Sequence, residues 1–194
     1  TDGATSVGSV NLTAQAKPAA KKAIEDALKA KNDAIDANND LTAEEKAKAK
    51  EDAKAKADAA KTAIDNATTN AAVEKAKADG ATSIDSVNPT PVAKPAAKKA
   101  IDDALKAKND AIDANNDLTA EEKAKAKEDA KAKADAAKRA IDNATTNDAV
   151  TQAKNDGATS VDSVNPTAQA KPAAKKAIDD VLKAKNDAID ANND

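Results

Sequence analysis

Every 77 residues the chain repeats itself almost letter for letter. Gly3, Gly80 and Gly157 fall at this spacing, as do Pro18, Pro95 and Pro172, Ile24, Ile101 and Ile178, and Ile35, Ile112 and Ile189. Residues 3–79 and 80–156 differ at 11 positions. A fixed period of this size marks a tandem array, in which one supersecondary unit recurs along the chain. Repetition on this scale points to architecture before chemistry.

The 194 residues hold two full units and part of another. A unit this small has a marginal core unless its neighbours help. Large aliphatics are few: in the second copy they are Ile84, Val87, Val92, Ile101, Leu105, Ile112, Leu118, Ile141 and Val150. Aromatics, Met, Cys and His are absent. Alanine therefore supplies most of the apolar contact, which calls for closely spaced helices and a thin body.

Three helices are expected in each unit. The first covers residues 94–117, with Pro95 in its first turn, where a missing N–H is no loss. Ala97, Ile101, Leu105 and Ile112 form its apolar stripe at helical spacing. Asn115, Asn116 and Asp117 stop it, asparagine being tolerant of the left-handed conformation that closes a helix.

The second helix opens at Leu118-Thr119-Ala120-Glu121-Glu122. Thr119 with Glu122 makes a capping box, repeated by Thr42 with Glu45. This helix is expected to run to about Ala144, facing inward with Ala126, Ala130, Ala134, Ala137 and Ile141. The third starts after Thr145-Thr146, with Asn147 as N-cap, and carries Val150, Ala153, Gly157, Val161 and Val164 on one stripe. Glycine inside a helix costs about 1 kcal/mol relative to alanine, so Gly157 on that stripe predicts close approach to a neighbouring helix, the alternative being a kink or an early helix end.

Short connections make successive helices antiparallel. The connection between units differs: residues 88–95, Asn-Pro-Thr-Pro-Val-Ala-Lys-Pro, hold three prolines and favour an extended, stiff segment. The domain plan is then 1–16 as the end of a preceding repeat and linker, 17–87 as a three-helix repeat and 88–93 as a Pro-rich linker. It continues with 94–164 as a three-helix repeat, 165–170 as a linker, and 171–194 as the first helix of a further, incomplete repeat. That orphan helix must pack against the preceding unit or a neighbouring molecule, or else fray. An odd number of helices brings the chain in at one end of a unit and out at the other. The expected fold is all-α: tandem Ala-rich three-helix bundles joined end to end into an elongated rod, a helix of about 21–25 residues being roughly 32–38 Å long at 1.5 Å per residue.

With these segments in place, a resemblance emerges. Residues 93–127, AKPAAKKAIDDALKAKNDAIDANNDLTAEEKAKAK, and the string AIDNATTNAAVEKAKADGATSI resemble a helical repeat, a domain of unknown function, found in wall-anchored surface proteins of Gram-positive bacteria. These include giant matrix-binding and biofilm-accumulation adhesins. The resemblance implies a repeated three-helix bundle serving as the stalk of an extracellular, wall-anchored adhesin. It carries no catalytic residues across, and wall anchoring rests on it alone.

Other functions find little support. The 31 basic and 34 acidic residues are interleaved, the pattern of a solvated surface and not of a nucleic-acid or anionic-membrane binder. No apolar run approaches the roughly 20 residues of a membrane helix. Asp110, Asp113, Asn115, Asn116 and Asp117 suggest a calcium loop, but the loop glycine is missing and Ala124 stands where a bidentate Glu is needed. The lysine-rich stretch around residues 48–61 is interrupted by Glu and Asp, so it reads as a solvated helix face and not a polyanion site. Without His or Cys no side chain titrates near neutrality unperturbed. No catalytic, cofactor-binding or metal site is expected, and no cofactor.

The leading function is a spacer that projects a distal binding region, as a monomer whose partners are its own neighbouring repeats. The alternative is an adhesive module for a host matrix or serum protein, or for cell–cell accumulation. One Arg and no aromatics count against it, since binding hot spots favour Trp, Tyr and Arg. A third possibility is a chain disordered in water, given a mean hydropathy of −0.71. Capping boxes and regular aliphatic spacing argue instead for a fold.

Overall fold

A computed structural model describes the backbone of residues 2–192 and the side chains of residues 15–192. Among these residues the secondary structure is entirely helical: α1 (Asp2–Ala37), α2 (Ala43–Asn66), α3 (Asn70–Asp85), α4 (Ala93–Ala114), α5 (Ala120–Asn143), α6 (Asn147–Asp162) and α7 (Ala170–Asp190). The chain divides into two compact units, one built around α1–α3 and the other around α4–α6.

In the first unit each helix packs on the other two. Ala20 and Ile24, early on the packed part of α1, share a cluster with Ala57, Ala60 and Ile64 from the far half of α2, and with Val73 and Ile84 of α3. Ile35, near the end of α1, instead meets Ala49 and Ala53 from the first half of α2, with Val87 just beyond α3. Leu28 touches both clusters. These pairings make α2 antiparallel to α1 and bring α3 back alongside α1, an up-down-up bundle.

The second unit repeats this core. Ile112, Leu118, Ala126, Ala130 and Val164 form one cluster, with Leu105 half-buried against it. The expected inward stripe of α5, Ala126, Ala130, Ala134, Ala137 and Ile141, is buried throughout. On α6, Val150, Gly157 and Val161 are buried as well. The close approach expected at glycine is present in both units. A Cβ added to Gly80 would overlap that of Ala60 and lie 2.9 Å from Ile24 Cδ1. Gly157 stands in the same relation to Ala137 and Ile101.

Ion pairs stitch the bundle surfaces at repeated positions. Lys61 reaches Glu25 across α2 and α1, and Lys138 reaches Asp102 across α5 and α4. Lys31 pairs with Asp85 and Lys108 with Asp162, each lysine stem lying largely against the bundle. Pairs of this kind are worth roughly 0–1 kcal/mol each, so they set register more than stability.

Three local expectations are corrected. The helix stop after α4 uses no left-handed residue, since no described residue has positive φ. Asn115 Oδ1 accepts the Asp117 N–H at 2.9 Å instead, a side-chain turn that closes the helix without that conformation. The third helix begins one residue earlier than expected: in the first unit Thr69 is the N-cap, accepting the Ala72 N–H, and Asn70 is already helical. Its counterpart Asn147 is likewise inside α6. Third, α1 does not open at Pro18 but runs through it. Where the later joints have Pro89 and Pro166, the first copy has Leu12, so nothing forces a break there, and Pro18 costs one backbone hydrogen bond.

Helix α7 stands apart. None of its residues is buried, and Ile178, Val181, Leu182 and Ile189 are all largely exposed. At the equivalent positions Ile24, Ile101, Ile35 and Ile112 are core residues.

Candidate functional site

The residues that suggest chemistry in the sequence are engaged in structural roles. Lys123 Nζ donates to the Asp113 backbone carbonyl at 2.7 Å, and Lys127 pairs with the Asp113 carboxylate. Asn115 closes the helix, and Asp110 pairs with Lys106 one turn away. These groups form a helix stop. Among the described residues no group of three or more His, Cys, Asp or Glu is placed to hold a metal ion. The lysine-rich face of α2 is tied to acids: Lys54 to Asp58 along the helix, and Lys50 to Asp36 and Lys61 to Glu25 across to α1.

The feature with the most defined geometry is a carboxylate at the start of the second helix of each unit. Thr119 Oγ1 accepts the Glu122 N–H, and Glu122 Oε2 accepts the Thr119 N–H at 2.9 Å, which closes the expected capping box. The other oxygen, Oε1, is not left to solvent. It accepts the N–H of Gln169 at 2.9 Å and of Ala170 at 3.0 Å. Lys171 Nζ adds a bond to the Asn116 carbonyl at 2.6 Å.

The first unit reproduces the set. Glu45 Oε2 accepts Thr42 N–H at 3.0 Å, and Oε1 accepts Val92 and Ala93 N–H at 3.0 Å each. Lys94 Nζ donates to the Asn39 carbonyl at 2.8 Å.

These bonds explain the electrostatics. The Thr119 amide first, then those of Ala170 and Gln169, hold the Glu122 carboxyl at about 2, well below its ordinary range. At Glu45 partial burial pushes the carboxyl up, but the amides of Thr42, Ala93 and Val92 together outweigh it and the value falls. Beside each carboxylate lies an open groove, about 650 Å³ in the second unit and 560 Å³ in the first. Ala126, Val164 and Pro166 form the apolar part of one, and Ala49, Val87 and Pro89 that of the other. Lys125, Asp129 and Lys133 rim the groove of the second unit, and Lys48, Asp52 and Lys56 that of the first.

Sequence reasoning found the capping boxes but missed the second oxygen of each glutamate. Its partners lie 47 and 48 residues further on, and backbone amides carry no residue signature. The available signal was negative: no Ser, Thr, Asp or Asn stands at the N-cap of α7, where Gln169 makes no side-chain cap.

Comparison with known proteins follows the same period. The model of the domain of unknown function DUF1542 matches residues 16–92 and again 93–169. The extracellular matrix-binding protein EbhA of Staphylococcus aureus strain Newman is 31% identical over 182 residues, covering 94% of this chain and 5% of that protein. The extracellular matrix-binding protein ebh of strain NCTC 8325 is 31% identical over 182 residues, covering 94% of this chain and 2% of its own length. That of strain MRSA252 is 35% identical over 143 residues, 74% of this chain and 1% of the relative. The chain thus spans a small fraction of the relatives it matches. No solved structure matches it.

Proposed function

The chain belongs to the DUF1542 family, two tandem copies of which cover most of it, and from that premise we propose that it is a structural spacer within an extracellular surface adhesin. One observation carries the reading: in each unit an odd number of helices admits the chain at one end of the bundle and releases it at the other. Repetition of such a unit adds distance. The near-identical copies, the interleaved surface charge and the Ala-lined cores fit a part whose output is length and solubility. The unpartnered stripe of α7 fits the first helix of a further bundle, since the same stripe is buried in α1 and α4. No catalysis or cofactor belongs to this reading. In it the whole protein is held at the cell wall, and the repeats carry a binding region outward.

A second reading has a specific observation behind it. The relatives are named as matrix-binding, and the grooves beside Glu45 and Glu122 recur at the repeat spacing. An adhesive module would use them, or the outward helix faces, to hold a host extracellular protein. Binding of the labelled chain to immobilised matrix and serum proteins separates the two. The spacer reading expects no saturable binding beyond that of a variant whose outward Lys, Asp and Glu residues are shuffled. Saturable binding that the shuffled variant loses would establish the module instead.

A further inference from the structure

The first helix after each joint lacks a capping residue of its own. At α7 the N-cap is Gln169, whose side chain makes no capping bond, and at α4 the preceding residue is Val92. Helix N-termini leave their first amides without intrahelical partners, and an anion placed there is favoured by both hydrogen bonding and the helix dipole. Proline at the third position of each helix, Pro95 and Pro172, removes one of those donors. The exposed amides of Gln169 and Ala170 go to Glu122, and those of Val92 and Ala93 go to Glu45.

We propose that Glu122 is a borrowed cap: its carboxylate closes the second helix of its own bundle and also caps α7 after the joint, fixing the direction in which that helix leaves, while Glu45 makes the same bonds to Val92 and Ala93 within the first unit. The device goes beyond the spacer reading and stands whichever function the repeat serves.

Its logic is economical in atoms. A carboxylate has two oxygens with about four acceptor sites, enough for three backbone N–H donors. One oxygen is committed to Thr119, which locks the side-chain rotamer, so the other is held in place before the joint arrives. The lysine after the joint adds a second tether, Lys171 to the Asn116 carbonyl and Lys94 to that of Asn39, so the leaving helix is held at two points. Because α7 buries no side chain, these tethers are what direct its start. The joint in the first unit and that in the second differ in sequence at two of the five residues between Asn88 and Val92, yet the bonds are the same. Backbone donors make the clasp indifferent to those changes.

Among the groups that make the clasp's bonds, the Glu122 carboxylate is the one that gains a proton in acid, and the charged groups near it lie on three elements. On α5, Lys125 and Asp129 line the adjoining groove and Glu121 precedes Glu122 in sequence. On α7, Lys171 is tied to a carbonyl, and at the end of α6 Asp162 is paired with Lys108. Residues 165–169 of the joint carry no ionisable side chain.

The test uses the absence of cysteine from the chain. Glu128→Cys on α5 and Lys185→Cys on α7, both exposed, take spin labels, and the label-to-label distance distribution is measured by pulsed electron resonance at neutral pH. The proposal expects a single narrow distribution that broadens in the Glu122→Ala background, with amide exchange at Gln169 and Ala170 roughly five- to thirtyfold faster. Thr119→Ala weakens the start of α5 but keeps the carboxylate, and its distribution stays narrow. If Glu122→Ala lowers expression, Glu122→Gln gives the same readout, since a single amide oxygen cannot serve both sets of donors with full charge. An unchanged distribution in both Glu122 variants overturns the proposal. Equal broadening in Thr119→Ala overturns it too, because order at α7 would then follow bundle stability and not the carboxylate.

Discussion

Gly157 of α6 lies so close to Ala137 of α5 that a methyl group on the glycine would overlap the alanine Cβ. Ile101 Cδ1, at 3.0 Å from the same point, closes the remaining space. Both obstacles are held by the core, and the alanine Cβ is fixed to its backbone. Gly157→Ala should therefore destabilise the second unit by about 1–2 kcal/mol, overpacking of about 1–3 kcal/mol being partly offset by the better helix propensity of alanine. Chemical denaturation measures it. A stabilised variant would mean that the helices are not this close.

Isoleucines on the apolar faces of α5 and α7 carry different weights. Ile141 is fully buried, whereas Ile178 is 67% exposed. Ile141→Ala should cost about 2–5 kcal/mol. Ile178→Ala should stay within about 0.5 kcal/mol, the range of surface changes. Thermal melts of the two variants make the comparison, and a large loss for Ile178→Ala would show that α7 has a packing partner.

Thr119 caps α5 through its side-chain oxygen. Thr119→Ala should lower stability by about 0.5–2 kcal/mol through loss of the cap bond. Thr119→Ser retains the hydroxyl and should recover most of that loss. Failure of the serine variant to recover it would place the effect in the methyl group and not the hydrogen bond.

The acid response follows from Glu122. Its carboxyl sits at about 2 in the folded chain against an ordinary 4.5, so the folded state favours the charged form. A depressed carboxyl contributes stability that is complete above its unfolded value and is lost as pH falls through the folded one. Protection of the Gln169 and Ala170 amides should accordingly hold above about pH 5 and fall away progressively toward pH 2. Hydrogen exchange corrected for intrinsic rate reads this directly, and in Glu122→Gln the pH dependence should disappear.

Much of the bundle was legible because its signals are local and periodic. Ala126, Ala130, Ala134 and Ala137 recur every three or four residues, and a stripe of that spacing has only one helical face to occupy. Thr119 and Glu122 name each other across three residues. Gly157 on the stripe of α6 pointed to close packing because glycine there costs helix propensity, although a kink or an early helix end would also have accounted for it. What escaped involved competition between near-equal choices or distant backbone. Thr69 and Asn70 are both good caps, and the threonine took the role. Asn115 ends its helix through its side-chain oxygen, an option the residue type does not distinguish from a left-handed turn. Leu12 in place of proline let α1 continue, an effect that needed the three joints compared position by position. The second oxygen of Glu122 was invisible because its partners are amides nearly 50 residues away, common to every residue but proline.

The central claim is that each 77-residue repeat adds length. Small-angle X-ray scattering on chains of two, four and six repeats tests it most directly. The account predicts a maximum dimension that rises by a constant increment per repeat, with a cross-sectional radius that does not change. A maximum dimension growing only as the cube root of chain length, as for a compact particle, would contradict it.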